Sequence, residues 1–190
     1  MSKRFVSIWF HHLLTDWLAL RRPALRNTAF VFARPDHGRK VITAASRAAE
    51  IQGIAVNMLV ADAKVIVPGL QVFDDQPGQE TKLLNALGKW AIRYTPVVAT
   101  DLPDGLLLDV SGCPHLWGGE KAYLKEIVIR LRTAGYDVRA AIADSIGTAW
   151  AVSRFGTISP IVESGRQAAA LMPLPPASLR LEPKTLARLQ

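Results

Sequence analysis

One cysteine, Cys113, in 190 residues excludes an internal disulfide and any zinc site built on several thiolates. It points to a reducing compartment, the cytoplasm. Although 49% of the chain is hydrophobic, no run approaches the ~18 uninterrupted apolar residues of a membrane span. The apolar start from Phe5 to Phe10 follows Lys3 and Arg4 in the manner of a signal peptide. His11 and His12 interrupt it, however, and no small-residue cleavage site follows, so a first β-strand is the better reading. No period of roughly 20 to 50 residues recurs, which excludes solenoids. What is left is a chain long enough for one sizeable core, or one core and a small satellite.

Acidic residues are scarce at the front of the chain. Residues 1–50 carry nine Lys/Arg against Asp16, Asp36 and Glu50, a balance of +6. Residues 51–190 carry fourteen against thirteen, so almost all of the formal +7 sits in the first quarter. Such an excess suits a polyanion such as nucleic acid, and an ordinary solvated basic surface is the equal alternative from charge alone.

The hydrophobic periodicity predicts alternating elements. Residues 5–10 read as a strand, and residues 15–22 as a short helix capped by Thr15 and ended by Pro23. Residues 29–34 and 40–44 read as a hairpin around Pro35-Asp36-His37-Gly38. Ser46 caps a helix that Gly53 stops, residues 57–64 form another, and a strand at 65–67 precedes the Pro68-Gly69 turn. Leu83, Leu84, Leu87, Trp90 and Ala91 give residues 78–93 a helical stripe, and Leu124, Ile127, Val128 and Leu131 do the same for 121–133. Strands are expected at 97–100, 106–110 and 138–143, and helices at 148–155 (capped from Ser145) and 166–171. Pro173, Pro175 and Pro176 read as a linker, and Glu182-Pro183 opens a further helix. Leu186 and Leu189 have nothing to bury against, so the chain reads as a fragment of a longer protein.

The order strand, helix, two strands, helix, strand is a split βαβ, ferredoxin-like sheet in an α+β chain. Its first strand and helix are followed by the basic insertion.

The chemistry-bearing residues gather at a few places. Asp104-Gly105-Leu106-Leu107-Leu108-Asp109 reads as a buried strand that starts on an acid. Asp101, Asp104 and Asp109 lie within nine residues, but side chains alternate along a strand, so Asp104 and Asp109 point to opposite faces and make a poor metal cluster. His12 and Asp16, at i and i+4 beside His11, are a weaker candidate dyad than a loop with a capping acid. Cys113 and His115 lack a third group to orient a base. Gly118-Gly119 lacks the Lys and Ser/Thr of a phosphate loop. Trp90 and Trp150 read as core, and Trp9 as a filler of space.

Taken in order, the strand at 5–10, Ala45-Ser46-Arg47-Ala48-Ala49-Glu50, Arg93-Tyr94-Thr95-Pro96, Leu108-Asp109-Val110-Ser111-Gly112 and Ala141-Ile142-Ala143 resemble the palm and fingers of a Y-family translesion DNA polymerase. Leu116-Trp117-Gly118-Gly119-Glu120, and Ala143-Asp144-Ser145 with Ala149 to Gly156, resemble its catalytically degenerate, ImuB-like branch. The resemblance spans essentially the whole chain. It implies a ferredoxin-like palm at residues 1–22 and 75–165, a small inserted fingers domain at 23–74, and a linker and the start of a helical thumb at 166–190.

The departures from the family pattern set the functional expectation. Ser7 stands where the family has a metal-binding Asp, and Asp104-Gly105 where it has an Asp-Glu pair. Arg47 and Glu50 stand for the Tyr and Arg that grip the triphosphate, and Trp150 for a substrate-holding Lys. Two-metal phosphoryl transfer needs several hard anionic ligands, and one Asp does not supply them. A carboxylate at Glu50, ~5 Å from a phosphate charge at an effective dielectric near ~20, opposes binding by about 3 kcal/mol.

The resemblance therefore implies no catalytic residues, no metal and no cofactor. It implies a scaffold of the SOS response that joins a sliding clamp, a RecA-like accessory protein and an error-prone polymerase through regions beyond residue 190. Weak, sequence-independent DNA contacts are expected from Arg21, Arg22, Arg26, Arg34, Arg39 and Lys40. Ser7 and Asp104 are expected on neighbouring central strands and on one exposed end or face of the sheet, with helices 79–93 and 121–133 on the other. Two other classes stay open: a working translesion polymerase with relocated metal ligands, and an unrelated ferredoxin-like nucleic-acid-binding domain.

Overall fold

The computed structural model describes residues 3–157 and 159–181; the helix expected from Glu182-Pro183, with Leu186 and Leu189, lies outside them. The elements are β1 (Phe5–Phe10), α1 (Leu13–Arg21), β2 (Phe30–Asp36), β3 (Arg39–Ala45), α2 (Arg47–Ile51), α3 (Val60–Ile66), β4 (Gln71–Asp74), α4 (Gln79–Ala91), β5 (Val97–Asp101), β6 (Gly105–Asp109), α5 (Glu120–Thr133), β7 (Val138–Ala143), α6 (Ile146–Phe155) and α7 (Gln167–Leu171). Among the described residues no helix is long and apolar enough to cross a membrane. The chain divides into two compact units. The larger holds the stretches up to His11, from Thr81 to Ala134 and from Val138 onward; the smaller holds His12–Glu80 and Gly135–Asp137.

The larger unit is built on one antiparallel sheet, β5-β6-β1-β7. With α4 before β5 and α5 between β6 and β7, this is the expected split βαβ fold. β1 is central and buried on both faces: Val6, Ser7, Ile8 and Phe10 have no exposed surface. Register places Val6 and Ile8 opposite Leu108 and Leu106, and Val98 opposite Leu108. α4 covers this face, where a Cβ on Gly88 would stand 3.7 and 3.8 Å from the Val98 and Leu106 side chains. Each fully buried Leu there contributes roughly 1.5–3 kcal/mol. α6 covers the opposite face: Ala141, Ala143, Ala149 and Val152 form one cluster there, and Ser145 caps the helix by accepting the Thr148 amide. Small residues on both elements allow this close approach.

Trp117, Gly118, Gly119 and Glu120 have structural work. Trp117 packs against Tyr94 and Tyr123 at ring separations of 5.1 and 6.2 Å. Gly118 and Gly119 turn the chain into α5 with φ of +82° and +99°, a region that side chains rarely enter. Glu120 then grips Arg4 through both carboxylate oxygens, at 2.6 and 2.5 Å. Arg4 also donates to Asp144 at 2.7 Å and to the Val162 carbonyl at 2.9 Å. It is 8% exposed, so one member of the basic excess is an internal strut.

The smaller unit has a three-stranded sheet, β3-β2-β4. β2 and β3 form the expected hairpin, turned by His37 and Gly38 at positive φ. Val31, Ala33, Ile42, Ala49, Ile54 and Leu70 form its core. Ser46 joins helix and sheet: its hydroxyl accepts the Ala49 and Phe30 amides and donates to the Thr28 carbonyl.

Three local expectations change. α1 begins at Leu13 with His12 as its cap residue, because the Thr15 hydroxyl donates to the His12 carbonyl instead of accepting an amide. α3 runs on through Val65 and Ile66, where a strand was expected. The strand comes later, at Gln71–Asp74, and pairs parallel to β2; four residues show too little alternation to announce themselves, and their partner is distant in sequence.

The Arg4 junction makes stability depend on pH. Asp144 is held down to about 2 by Arg4 first, then by the Ser164 hydroxyl and the Gly165 amide, whereas an unfolded Asp protonates near ~3.9. The folded chain binds fewer protons in that window, so Asp144 stabilises it fully above ~3.9 and loses that effect as pH falls through about 2. Thermal melts from neutral pH down through this window should show a steeper loss of Tm in the wild type than in Arg4→Met. Parallel curves would show that Arg4 does not set the Asp144 ionisation.

Candidate functional site

In the larger unit, the hairpin between β5 and β6 closes on the pair Asp101 and Gly105, with Asp104 immediately before Gly105. The tight turn brings the Asp101 and Asp104 carboxylates to one guanidinium. Arg154 Nη2, on the last turn of α6, lies 2.6 Å from Asp104 Oδ1 and 3.4 Å from Asp101 Oδ2. Arg180 Nη2 donates to the other Asp101 oxygen at 2.7 Å, and the Trp9 indole N–H donates to the other Asp104 oxygen at 2.8 Å. Both guanidinium groups lie over the Trp150 ring, at 4.4 and 4.7 Å, a cation–π arrangement that suits weakly hydrated Arg.

The Arg154 and Asp101 side chains are each 8% exposed. Burial pulls the Arg154 pKa below its ordinary value, while Asp104 and Asp101 oppose that shift. Arginine nonetheless stays cationic at any ordinary pH. The knot therefore joins the buried Asp101 and Arg154 to the partly exposed Asp104, and the half-exposed Arg180 completes it. It can hold charge and shape, and it leaves no carboxylate oxygen of Asp101 or Asp104 without a donor.

Ser7 lies on β1 opposite Leu107, and Gly105, the first residue of β6, lies opposite Trp9; Asp104, expected on that neighbouring strand, stands in the turn just before it. Ser7 is not on an exposed face. It is fully buried, and its hydroxyl lies 3.1 Å from that of Ser153 on α6. Sheet alternation alone could not show this, because it does not reveal that α6 packs there. A Cβ on Gly105 would stand 3.1 Å from both Arg154 Nη2 and Asp101 Oδ2, and 3.2 Å from the Asp101 carbonyl. The glycine thus leaves the space that the Arg154 knot fills.

Asp109 belongs elsewhere: it accepts the Ser111 amide at 3.0 Å, and its pKa is lowered chiefly by the Ser111 hydroxyl. Trp150 is half-buried and serves as the platform for the knot. Trp90 is also half-buried, at the end of α4 against Tyr94, 5.2 Å between rings. Sequence reasoning weighed Asp101 only as a metal ligand and missed Arg154 and Arg180. The available signal was Trp150 and Arg154 at i and i+4 on one helix, a spacing that stacks the two side chains.

In the smaller unit, Arg47 is exposed at the start of α2, and Glu50, on the same helix, lies 3.2 Å from His12 Nε2. His12 is buried, with Asp137 3.9 Å from its other ring nitrogen. Asp16 accepts the Asp137 amide at 2.7 Å. Arg21, Arg22, Arg26, Arg34, Arg39 and Lys40 are all exposed. Arg34 and Arg39 share a face of the hairpin with Asp36, since Arg34 pairs with Val41 and Asp36 with Arg39. Lys40 projects from the other face and is ion-paired with Asp74 at 2.9 Å. The smaller unit carries eight Lys/Arg and eight Asp/Glu, so the excess that looked local in sequence is balanced once the chain folds.

The chain matches the model of the impB/mucB/samB family over residues 8–154. It is 46% identical over 129 residues to the protein ImuB of Caulobacter vibrioides, in two strains, covering 68% of this chain and 28% of that protein. The matched stretch is thus little more than a quarter of the length of those curated relatives. Among solved structures, the insertion ternary complex of Dbh DNA polymerase is similar at a TM-score of 0.77 and 13% identity, covering 98% of this chain and 56% of that one. DinB from Sulfolobus solfataricus is similar at 0.74 and 12%, with the same coverage. At such identity the likeness shows the fold alone, that of a Y-family palm and fingers.

Removing Arg154 leaves Asp104 with the Trp9 N–H alone and Asp101 with Arg180 alone. Arg154→Met should cost about 3 kcal/mol in urea unfolding, the usual penalty for breaking a buried pair. Adding Asp104→Asn to that variant should recover part of the loss. A double variant less stable than Arg154→Met would show that the knot is not held by charge pairing.

Proposed function

Because the chain belongs to the impB/mucB/samB family of Y-family polymerase-like proteins, we propose that it is a non-catalytic member: a polymerase-shaped scaffold in DNA damage tolerance. One observation carries this reading. The guanidinium of Arg154 is bound to Asp104 and Asp101 at the strand start where the family resemblance places metal-binding carboxylates.

The residues present do not fit a two-metal centre. Ser7 offers a hydroxyl engaged with Ser153, Gly105 offers no side chain, and Asp104 is held by Arg154 and Trp9. A divalent cation ~4 Å from the Arg154 charge would be repelled by about 8 kcal/mol at an effective dielectric near ~20. The Arg supplies internally the positive charge that a bound cation would otherwise bring.

What remains of the polymerase is its shape and its exposed cations. Arg21, Arg22, Arg26, Arg34 and Arg39 are proposed to contact DNA phosphates; Lys40, paired with Asp74, contributes least. Such contacts are independent of sequence and weaken with salt. The contacts with a sliding clamp, a RecA-like accessory protein and an error-prone polymerase that the resemblance implies are assigned to segments outside these 190 residues. A second reading has one observation in its favour: the hairpin turn brings Asp101 and Asp104 together, and a working polymerase could use that pair if Arg154 swung away.

Two measurements decide. Primer extension with Mg²⁺ or Mn²⁺ should give no template-dependent product, either from the wild-type protein or from a Ser7→Asp, Gly105→Glu variant, in which the new Glu collides with Arg154 and the new Asp is buried. Extension above background by the wild type would establish the second reading. In fluorescence anisotropy with primer-template DNA, Arg34→Ala, Arg39→Ala should weaken binding and flatten the plot of log affinity against log salt. The slope should change by ~0.9 for each phosphate of B-DNA that an arginine no longer neutralises. Unchanged affinity and slope would assign both arginines to a merely solvated surface.

A further inference from the structure

Beside the edge strand β7 the larger unit has a cavity of about 410 Å³. Leu124, Val128, Val152 and Ile161 give it an aliphatic floor, and Lys121, Lys125, Arg132 and Arg139 surround it. Among the described residues no Asp or Glu lines it. Lys121, Leu124, Lys125, Val128 and Arg132 recur along α5 at the spacings that share one helix face. The acids of that helix are engaged elsewhere: Glu120 with Arg4 and Glu126 with Arg130. Like charges at i and i+4, such as Lys121 and Lys125, oppose helix stability, so this arrangement has a cost that nothing on the described surface offsets.

Two of the cations are held in place before any partner arrives. Arg132 donates to the Val138 carbonyl at 3.0 Å. Arg139 donates to the Arg154 carbonyl at 3.1 Å and also to that of Gly156. Ile142 ties the chain beyond α6 to this strand, donating to the Pro160 carbonyl and accepting the Val162 amide, which holds Ile161 in the cavity wall.

We propose that this cavity docks an acidic and aliphatic peptide segment of a partner protein. Its carboxylates would meet the four cations and its aliphatic side chains the floor, a match of charge and apolar surface. Nucleic acid fits less well, because among the described residues no aromatic ring lines the cavity for a base to stack on. Free phosphate does not match aliphatic walls. Docking of this kind does not depend on whether the palm is catalytic.

The test is fluorescence anisotropy of the 190-residue chain with a labelled short peptide alternating Glu and Leu. Saturable binding is expected, and Lys121→Glu, Lys125→Glu should weaken it by at least ~10-fold, as reversal of close charge pairs does. Lys82→Glu, Lys89→Glu on α4 should leave it unchanged. Replacing each Glu of the peptide by Lys should abolish binding, and replacing each Leu by Ser should weaken it. If circular dichroism shows that the reversal variant is unfolded, Lys121→Gln, Lys125→Gln replaces it. Absence of saturable binding, equal binding by the variant, or equally effective competition by an oligothymidylate of the same charge would each overturn the proposal.

Discussion

Two ionised carboxylates crowded at one corner of a sheet need a cation between them, and in the larger unit Arg154 is that cation. Much nearby follows from this constraint. Asp101 and Asp104 flank a tight turn, so their charges are forced together. α6 must lie where its last turn reaches them, and its packing on Ala141 and Ala143 and its Ser145 cap hold it there. Position 105 is a glycine where a Cβ would press on Arg154 and on the Asp101 backbone. Trp9 and Trp150 complete the knot with an N–H donor and an aromatic platform. Substitutions that would look like losses in a polymerase here form one self-consistent set.

The same logic governs the distribution of charge. Net charge along the sequence suggested a basic front end, yet folding consumes part of it. Arg4 is buried between Glu120, Asp144 and a carbonyl, and Lys40 is paired with Asp74. The smaller unit, which holds the remaining candidates for DNA contact, is electrically balanced. Any attraction it exerts on phosphates therefore depends on a few exposed arginines and not on a broad field. In the larger unit, Lys121, Lys125, Arg132 and Arg139 gather around an aliphatic cavity that no acid among the described residues lines.

Most of the elements could be read from the residues because their signals are local. The stripe of α4, the alternation in β6, the Ser46 and Ser145 caps and the His37-Gly38 turn each specify structure within a few residues. The strand order also followed, because a split βαβ sequence of elements has few right-handed, unknotted solutions. What failed was β4, a four-residue strand whose pairing is with a distant segment, and the start of α1, where Thr15 uses its hydroxyl as a donor and not as a cap.

The candidate site divides along the same line. The sequence by itself determined the identity and order of Ser7, Gly105 and Trp150, which are proposed to stand at polymerase-like positions without polymerase-like chemistry; side-chain identity at an ordered set of motifs is a one-dimensional property. It also determined that Asp104 is followed by a glycine. Only the tertiary structure decided what fills the space. Asp101 and Asp104 become neighbours through the closure of the hairpin, and Arg154 and Arg180 reach them across about 50 and 79 residues of chain. Ion pairs between such distant positions leave no periodic trace in a sequence, because their geometry exists only once helix and sheet have packed.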